Sequence, residues 1–504
     1  MPTYLLGIDN GGTIAKAALF TLDGREVAVA SRKTEMITPQ PGHTERDMDS
    51  LWQATAGAIR AVIEQSRIAP GEIAAVATAG HGNGLYLVDQ DGRPVRNGII
   101  STDSRAKDYV ARWYRDGVDR QVLPHTMQSL WPAQPNAILA WLRDHEPETI
   151  RRAGWVLMVK DYIRFRLCGA ICTELTDMSA TSLMSVRDRD YHPEVLEAFG
   201  LAEMRRLLPP IKRPEEICGR VTAQAAAETG LKEGTPVAGG LFDAAACVLA
   251  SGVIDEAPMC VIAGTWSVNQ YVSKTPVVSE EVFMTSLYCT PGYHMILEAS
   301  ATSASNLEWF VTQFFQAERE TAEKTGRSVY QLCNDLVAQS RPEGAKIVFL
   351  PFLFGSNVDA DAKACFVGLN GWHSRGDVLR AIYEGVAFGH KAHVDRLLRF
   401  RGPAKTIRLA GGAAHSGVWA QIFADTFQLP VEITAGTELG ALGAAMTAGI
   451  AAGCFADYRE AVQAMVKIAQ VFPPNPTLAD LYKEKYHRYQ AVLEALKPVW
   501  KELA

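Results

Sequence analysis

The sequence predicts an α/β protein of two domains built on one plan used twice. Three observations carry that prediction. An apolar run, a glycine turn and a second apolar run fill residues 4–20, and the pattern returns at 259–272. Each half then has a second strand-to-glycine junction, at 73–82 and at 407–416. Helical spacing alternates with these strands, which implies sheets covered by helices. A chain of 504 residues also exceeds what one core organises.

The elements follow in order. The first run ends at Asp9, turns through Asn10, Gly11 and Gly12, and resumes at 15–20. Residues 51–63 have the period of a helix, 73–82 form a strand that enters Gly80-His81-Gly82, and Asp91-Gly92 marks a hairpin. Residues 201–216, with Pro209, Pro210 and Pro214, read as surface connection. A strand then meets Gly239-Gly240 and Asp243 before an alanine-rich helix, and the two halves join near 245–258. The second half repeats the strand and Gly264-Thr265 turn, followed by helices over 378–388 and 418–427 and an amphipathic helix over 478–496. Residues 439–456 carry no charge over a membrane-like length, but Gly440, Gly443, Gly449 and Gly453 favour a tightly packed core helix.

Composition excludes several classes. Hydrophobic content of 48%, charged content of 21% and a net charge of −6 describe a soluble globular chain without a basic stripe. Nucleic acid and membrane are therefore not expected as partners. Asp9 and the glycine turn interrupt the first apolar stretch, so it is not read as a secretory signal. Nine cysteines lack metal or disulfide spacing and are expected as buried reduced thiols of a cytoplasmic protein, with Cys168 and Cys172 in a largely apolar setting.

The candidate chemistry lies at the glycine turns. Glycines admit positive φ and close approach, so successive N–H groups at Gly11, Gly12 and Thr13 can face phosphate oxygens. Asp9 can hold Mg²⁺ directly or through water. Taken alone, the motif also fits an ordinary hairpin. Asp243 suits either of two roles, a helix cap or a base that accepts a hydroxyl proton during phosphoryl transfer. Gly411-Gly412 would let a flat ring slide against the backbone. The polar turns at 81–84 and 101–105 suit a polyhydroxylated substrate or a decorated surface hairpin.

Together these residues resemble the FGGY carbohydrate kinases, whose fold is a duplicated actin-like (ribonuclease H-like) α/β pair with a catalytic cleft between the domains. The resemblance spans nearly the whole chain. It rests on Gly7-Ile8-Asp9-Asn10-Gly11-Gly12-Thr13, the Pro41-Gly42 and Glu45 element, Lys160-Asp161-Tyr162 with Thr176-Asp177, Gly239-Gly240-Leu241-Phe242-Asp243, Ala263-Gly264-Thr265, Gly411-Gly412, and the 368–384 stretch with Ala381 and Glu384. It implies ATP and Mg²⁺ as cofactors, with Asp9 organising the metal and Asp243 as general base. Gly11, Gly12, Thr13 and Lys16 would meet the terminal phosphates, Gly264 and Thr265 further phosphates, and Gly411, Gly412 and Ser416 the adenosine. His81, Gly82, Asn83 and Asp103 would line the sugar pocket. The implied domains are 1–247, for sugar and part of the phosphate site, and 248–504, for nucleotide. A homo-oligomer is compatible with the resemblance.

Departures narrow the substrate. Gly82-Asn83 replaces the Arg-Glu pair of glycerol kinases, and Ser101 stands where D-xylulose kinases carry Trp. Ile138 falls near the place of a family Lys. The stretches 38–48, 144–148, 298–310 and 349–357 look most like bacterial L-xylulose kinases. The expected reaction is therefore transfer of the ATP γ-phosphoryl group to L-xylulose. The alternatives are D-xylulose, erythritol or another polyol, and, in a different class, a non-kinase actin-like ATPase or sugar-responsive regulator.

Overall fold

The computed structural model describes residues 3–344, 346–356, 358–359 and 361–503. Asn357, at the end of one of the stretches quoted above, lies outside the described residues. Two compact units divide the chain, and both are discontinuous in sequence. The first takes Met1–Ile254, Val272–Ile296 and Gly436–Lys467, and the second takes Asp255–Tyr271, Leu297–Ala435 and Ile468–Ala504.

In the first unit, apolar runs ending at glycines become the strands Tyr4–Asn10, Ile14–Thr21 and Ile73–Gly80. Tyr4–Asn10 is antiparallel to Ile14–Thr21 and parallel to Ile73–Gly80. The sheet runs Ile217–Arg220, Pro236–Ala238, Ile73–Gly80, Tyr4–Asn10, Ile14–Thr21, Glu26–Lys33, and Leu241–Phe242 also pairs with Ile73–Gly80. The helix Met48–Ser66 starts where the Asp47 carboxylate accepts from Ser50 N–H, and buries Leu51, Trp52, Thr55, Ala56, Ile59 and Val62 at helical spacing. These side chains share a core with Leu6, Ile8, Leu19 and Val76 of the sheet.

The uncharged segment after residue 438 is a core helix, Leu439–Ala451, buried from Gly440 to Gly449. Its glycines, and those facing it, permit backbone contact. A Cβ on Gly7 would lie 1.8 Å from the Ala441 carbonyl oxygen, and one on Gly443 would lie 2.4 Å from that of Ala246. Among the described residues no helix is long and apolar enough to cross a membrane.

The second unit repeats the plan. Its strands run in the order His294–Ser300, Ser267–Ser273, Pro258–Ala263, Thr406–Ala410, Val431–Thr434, Ile468–Phe472. Pro258–Ala263 again pairs antiparallel with its successor, Ser267–Ser273, and parallel with Thr406–Ala410, which follows a long connection. One difference marks the copies: the antiparallel edge strand precedes its neighbour in sequence in the first unit and follows it in the second.

Most sequence-read elements grow at their ends. The helix read over 378–388 extends to Arg375–Leu397, and the terminal one to Ala479–Trp500. The 201–216 connection contains a 3₁₀ turn at Ala202–Leu207 and a short strand at Ile211–Lys212. All nine cysteines are free and none is exposed. Cys172 is less apolar in its surroundings than its sequence suggests, because its thiol interacts with Cys218 and its carbonyl accepts from Arg164.

Candidate active site

The register of the first sheet brings two carboxylates to the end of one strand. Asp9 is opposite Ala79 on Ile73–Gly80, and Leu241 is opposite the same Ala79 from the other side. Phe242 is opposite Gly80, and Asp243 opens the helix Asp243–Ala250 immediately beyond. The N-cap of that helix is Phe242, and Asp243 is its first residue rather than its N-cap. Its carboxyl interacts with the Ala244 N–H, and burial together with the Asp9 charge pushes its pKa up to about 8.

Asp9 is pushed up to about 6 by burial, against the pull of Lys16 and with a further push from Glu438. Its Oδ1 is buried without a hydrogen-bond partner. Gly440 makes room for it, because a Cβ there would lie 2.4 Å from Asp9 Oδ2. Lys16 faces Asp9 across the hairpin and binds Glu438 at 2.9 Å. Burial opposes the Lys16 charge, but Glu438 with Asp9 and Cys247 outweighs it and the pKa rises. A buried carboxylate oxygen with no donor, beside a second acid, fits a divalent cation.

Gly11, Gly12 and Thr13 form the turn, closed by Gly11 N–H donating to the Ile14 carbonyl at 3.0 Å. Neither glycine adopts the positive φ expected of it. Nothing in the protein crowds Gly12 either: a Cβ there would meet nothing within 4 Å, so that position faces open volume.

At the end of Ile73–Gly80, His81 N–H donates to the Asn10 carbonyl at 3.0 Å. Burial and the Arg46 charge lower the His81 pKa to about 3, so the ring is neutral. Its Nδ1 lies 3.3 Å from the Gly82 carbonyl and its Nε2 lies 3.2 Å from the Tyr86 hydroxyl, which makes Nδ1 the protonated nitrogen. Gly82 admits the Phe242 ring, whose Cε2 would be 2.4 Å from a Cβ. Asn83 is buried in the left-handed region at φ 63°, with Oδ1 unpartnered. A strained residue with a free buried acceptor is a ligand-reading arrangement.

Asp103 behaves differently. Oδ1 accepts from the Arg105 N–H and Nε, and Oδ2 accepts from Arg105 Nη2 and the Thr44 N–H, all between 2.7 and 2.9 Å. Its lone pairs are committed, so it shapes the 101–105 turn and offers a sugar hydroxyl little.

Beneath Asp243 lies a buried ionic cluster whose motif the sequence shows but whose role it does not. Lys160 binds Asp161 at 2.6 Å, Glu174 at 3.2 Å and Asp177 at 3.6 Å. Burial raises Asp177 well above the usual carboxylate range despite Lys160. Thr176 Oγ1 accepts from the Phe242 N–H at 2.9 Å, and Arg164 donates to the Gly239 carbonyl at 2.6 Å. The cluster therefore anchors both sides of the segment that presents Asp243.

In the second unit, Gly264 and Thr265 join Pro258–Ala263 to Ser267–Ser273. The Ala304 and Ser303 N–H groups hold their carbonyls at 2.8 and 3.1 Å. Gly411 has φ 81° and ψ −167°, and a Cβ would lie 2.7 Å from the Ala263 carbonyl. Only glycine fits there. Gly412 opens a 3₁₀ turn, and Ser416 caps the helix Gly417–Phe427 by accepting from Trp419 N–H while donating to Asn334 Oδ1 at 2.7 Å. The Ser416 hydroxyl is thus spent within the protein.

Duplicated sheets, each with a strand–glycine–strand turn, and a raised carboxyl pair beside one turn define a phosphotransferase-like α/β protein. The N-terminal domain of the FGGY family of carbohydrate kinases matches residues 4–250, and the C-terminal domain matches 259–452. The chain belongs to the FGGY family of carbohydrate kinases and is a sugar kinase. FGGY kinases use ATP as phosphoryl donor. It is 37% identical to the L-xylulose/3-keto-L-gulonate kinase of Escherichia coli (strain K12), over 99% of this chain and 98% of that one. It is 38% identical to a probable L-xylulose kinase of Pasteurella multocida (strain Pm70), over 98% and 99%. The crystal structure of xylulose kinase from Rhodospirillum rubrum superposes with a TM-score of 0.86 at 26% identity, covering 99% and 100%.

Proposed function

We propose that this protein transfers the γ-phosphoryl group of ATP to a hydroxyl of L-xylulose, with Mg²⁺, and that Asp243 is the base. The observation that carries the reading is the Asp243 carboxyl. It sits at a strand–helix junction, raised to about 8 by burial and by Asp9. A carboxyl of that pKa accepts a proton more readily than an ordinary aspartate and releases it near neutral pH. The relatives named as L-xylulose kinases support the choice of sugar.

Each side chain then has a task. Asp243 takes the proton of the attacking hydroxyl. Asn83 Oδ1 and the neutral His81 face the sugar, with Gly82 and Phe242 forming a wall. The Gly11–Thr13 turn and Lys16 receive the terminal phosphates. Gly264, Thr265, Gly411 and Gly412 border the rest of the nucleotide. A Mg²⁺ ion held at Asp9 would screen phosphate charge and, by offsetting the Asp9 carboxylate, ease the ionisation of Asp243.

The test is ADP release with Mg²⁺-ATP across L-xylulose, 3-keto-L-gulonate, D-xylulose, L-ribulose, erythritol and glycerol. The expected result is the highest kcat/KM for L-xylulose. Preference for another sugar would overturn the substrate and leave the kinase. No turnover on any of them would overturn the proposed acceptor class.

A further inference from the structure

Among the described residues four arginines are buried, and three have a carboxylate beside them. Arg105 has Asp103 at 2.9 Å and Glu45 at 2.8 Å, Arg164 has Asp161 at 3.0 Å, and Arg380 has Glu384 at 3.5 Å. Arg46 is the exception. It is 1% exposed, and no described carboxylate forms an ion pair with it. Its two terminal nitrogens donate to the Gly11 carbonyl at 3.3 Å and to the Gly12 carbonyl, and its Nε has no partner. The titratable groups whose pKa it moves are His81 and Tyr86, both neutral. A buried cation without a counter-ion is costly in an empty site and persists where a ligand supplies the missing charge.

The two hydrogen bonds also fix direction. In a trans peptide the C=O and the following N–H point oppositely. Arg46 draws the Gly11 and Gly12 carbonyls to its own side, so the N–H groups of Gly12 and Thr13 are sent to the other. Neither N–H donates to any described protein group. Both are therefore left free for a ligand, and the space a Gly12 Cβ would enter is open as well. Two parallel free N–H groups with a cation behind them form an anion nest.

We propose that Arg46 is the positioning residue of the phosphate turn. It does not touch substrate. It holds the Gly12 and Thr13 N–H groups toward the terminal phosphate and contributes uncompensated positive charge from behind them. This rests on the kinase reading above. The adjacent Glu45 has another task, pairing with Arg96 and Arg105.

The test compares Arg46→Met and Arg46→Lys with the wild type. Arg46→Met is expected to lower kcat about tenfold or more, to weaken ATP and ADP binding, and to leave AMP binding and the sugar KM near wild type. Added methylguanidinium should restore part of the lost rate, an effect a merely structural arginine would not show. Arg46→Lys keeps the charge but reaches only one carbonyl and should fall between. If Arg46→Met does not fold, Arg46→Lys decides: wild-type ADP affinity in that variant overturns the proposal. So does a folded Arg46→Met with wild-type kcat and ADP affinity. The ADP-to-AMP affinity ratio is read by calorimetry without any sugar, so an incorrect acceptor sugar leaves this test intact.

Discussion

The turn at Gly11–Thr13 and the turn at Gly264–Thr265 occupy the same place in two copies of one sheet plan, yet their surroundings differ. The first is ringed by ionisable groups: Asp9, Lys16, Glu438, Asp243 and the buried Arg46. The second is braced by neutral polar groups. Ser303 and Ser305 hold the Thr265 carbonyl, and His390 lies behind them, with Nε2 2.8 Å from Ser303 Oγ and Nδ1 2.7 Å from Asn269 Oδ1. Duplication supplied two copies of the strand–glycine–strand turn, and the raised carboxyls lie at one of them. On the proposed function, the pH dependence of activity should arise at the first unit's turn.

The sharpest way to test that asymmetry is to remove the charge chemistry. Asp243→Asn should lower kcat by about 10²–10⁴-fold, the range for a positioned general base, while leaving ADP affinity near wild type. The wild-type kcat/KM should rise with pH through the ionisation near 8, and a flat profile would remove Asp243 from the role of base. Stability should respond with the opposite sign. A carboxyl raised from about 4 to about 8 binds its proton more tightly folded than unfolded, so the folded state loses stability as pH climbs between those values. Asp243→Asn should therefore raise Tm at pH 8.5 relative to wild type by more than it does at pH 5, read by calorimetry. An equal shift at both pH values would contradict the raised pKa.

The second contrast is steric. Gly12 faces open volume, whereas Gly411, which packs on the second turn, has a glycine-only conformation against the Ala263 carbonyl. Gly411→Ala should cost about 3 kcal/mol or more in denaturant unfolding, combining backbone strain with a clash. Gly12→Ala should leave stability within about 0.5 kcal/mol and raise the KM for ATP instead. If both cost the same stability, the two turns are not differently built.

How much of this was legible in the sequence divides along similar lines. Strands were legible because apolar runs end abruptly at glycines, and the duplication because the same run–turn–run recurs. Asp243 was legible as a carboxylate at a strand end. Long-range pairing was not. Lys16 finds Glu438 422 positions away, and no local period announces it. The commitment of Asp103 to Arg105 and Thr44, and of Ser416 to Asn334, reassigns polar residues that look free in sequence. Arg46 lies in the 41–47 stretch, but the stretch does not announce a role for it. Its meaning comes from its burial without an ion pair to any described carboxylate, which only packing reveals. The positive φ that the sequence suggests for Gly11 and Gly12 is not adopted, because the hairpin closes without it.

The smallest expected effect completes the comparison. His390 is 1% exposed, and burial holds its pKa well below the usual histidine range, with the neighbouring His393 adding to the effect. It is therefore neutral throughout the physiological range. With Asn269 Oδ1 as acceptor, Nδ1 carries the proton and Nε2 accepts from the Ser303 hydroxyl. Ser303 in turn donates its N–H to the Thr265 carbonyl at 3.1 Å, so the ring supports the turn through one intermediary. His390→Leu leaves two buried polar partners unsatisfied and should cost about 1–3 kcal/mol in denaturant unfolding. The cost should be smaller at pH 6 than at pH 8.5 by about 1 kcal/mol, because the unfolded chain's histidine takes up a proton near its ordinary pKa of about 6.5 while the buried ring stays neutral. A cost equal at both pH values, or larger at pH 6, would mean that the ring is charged in the folded state. The second turn would then share the ionic character of the first.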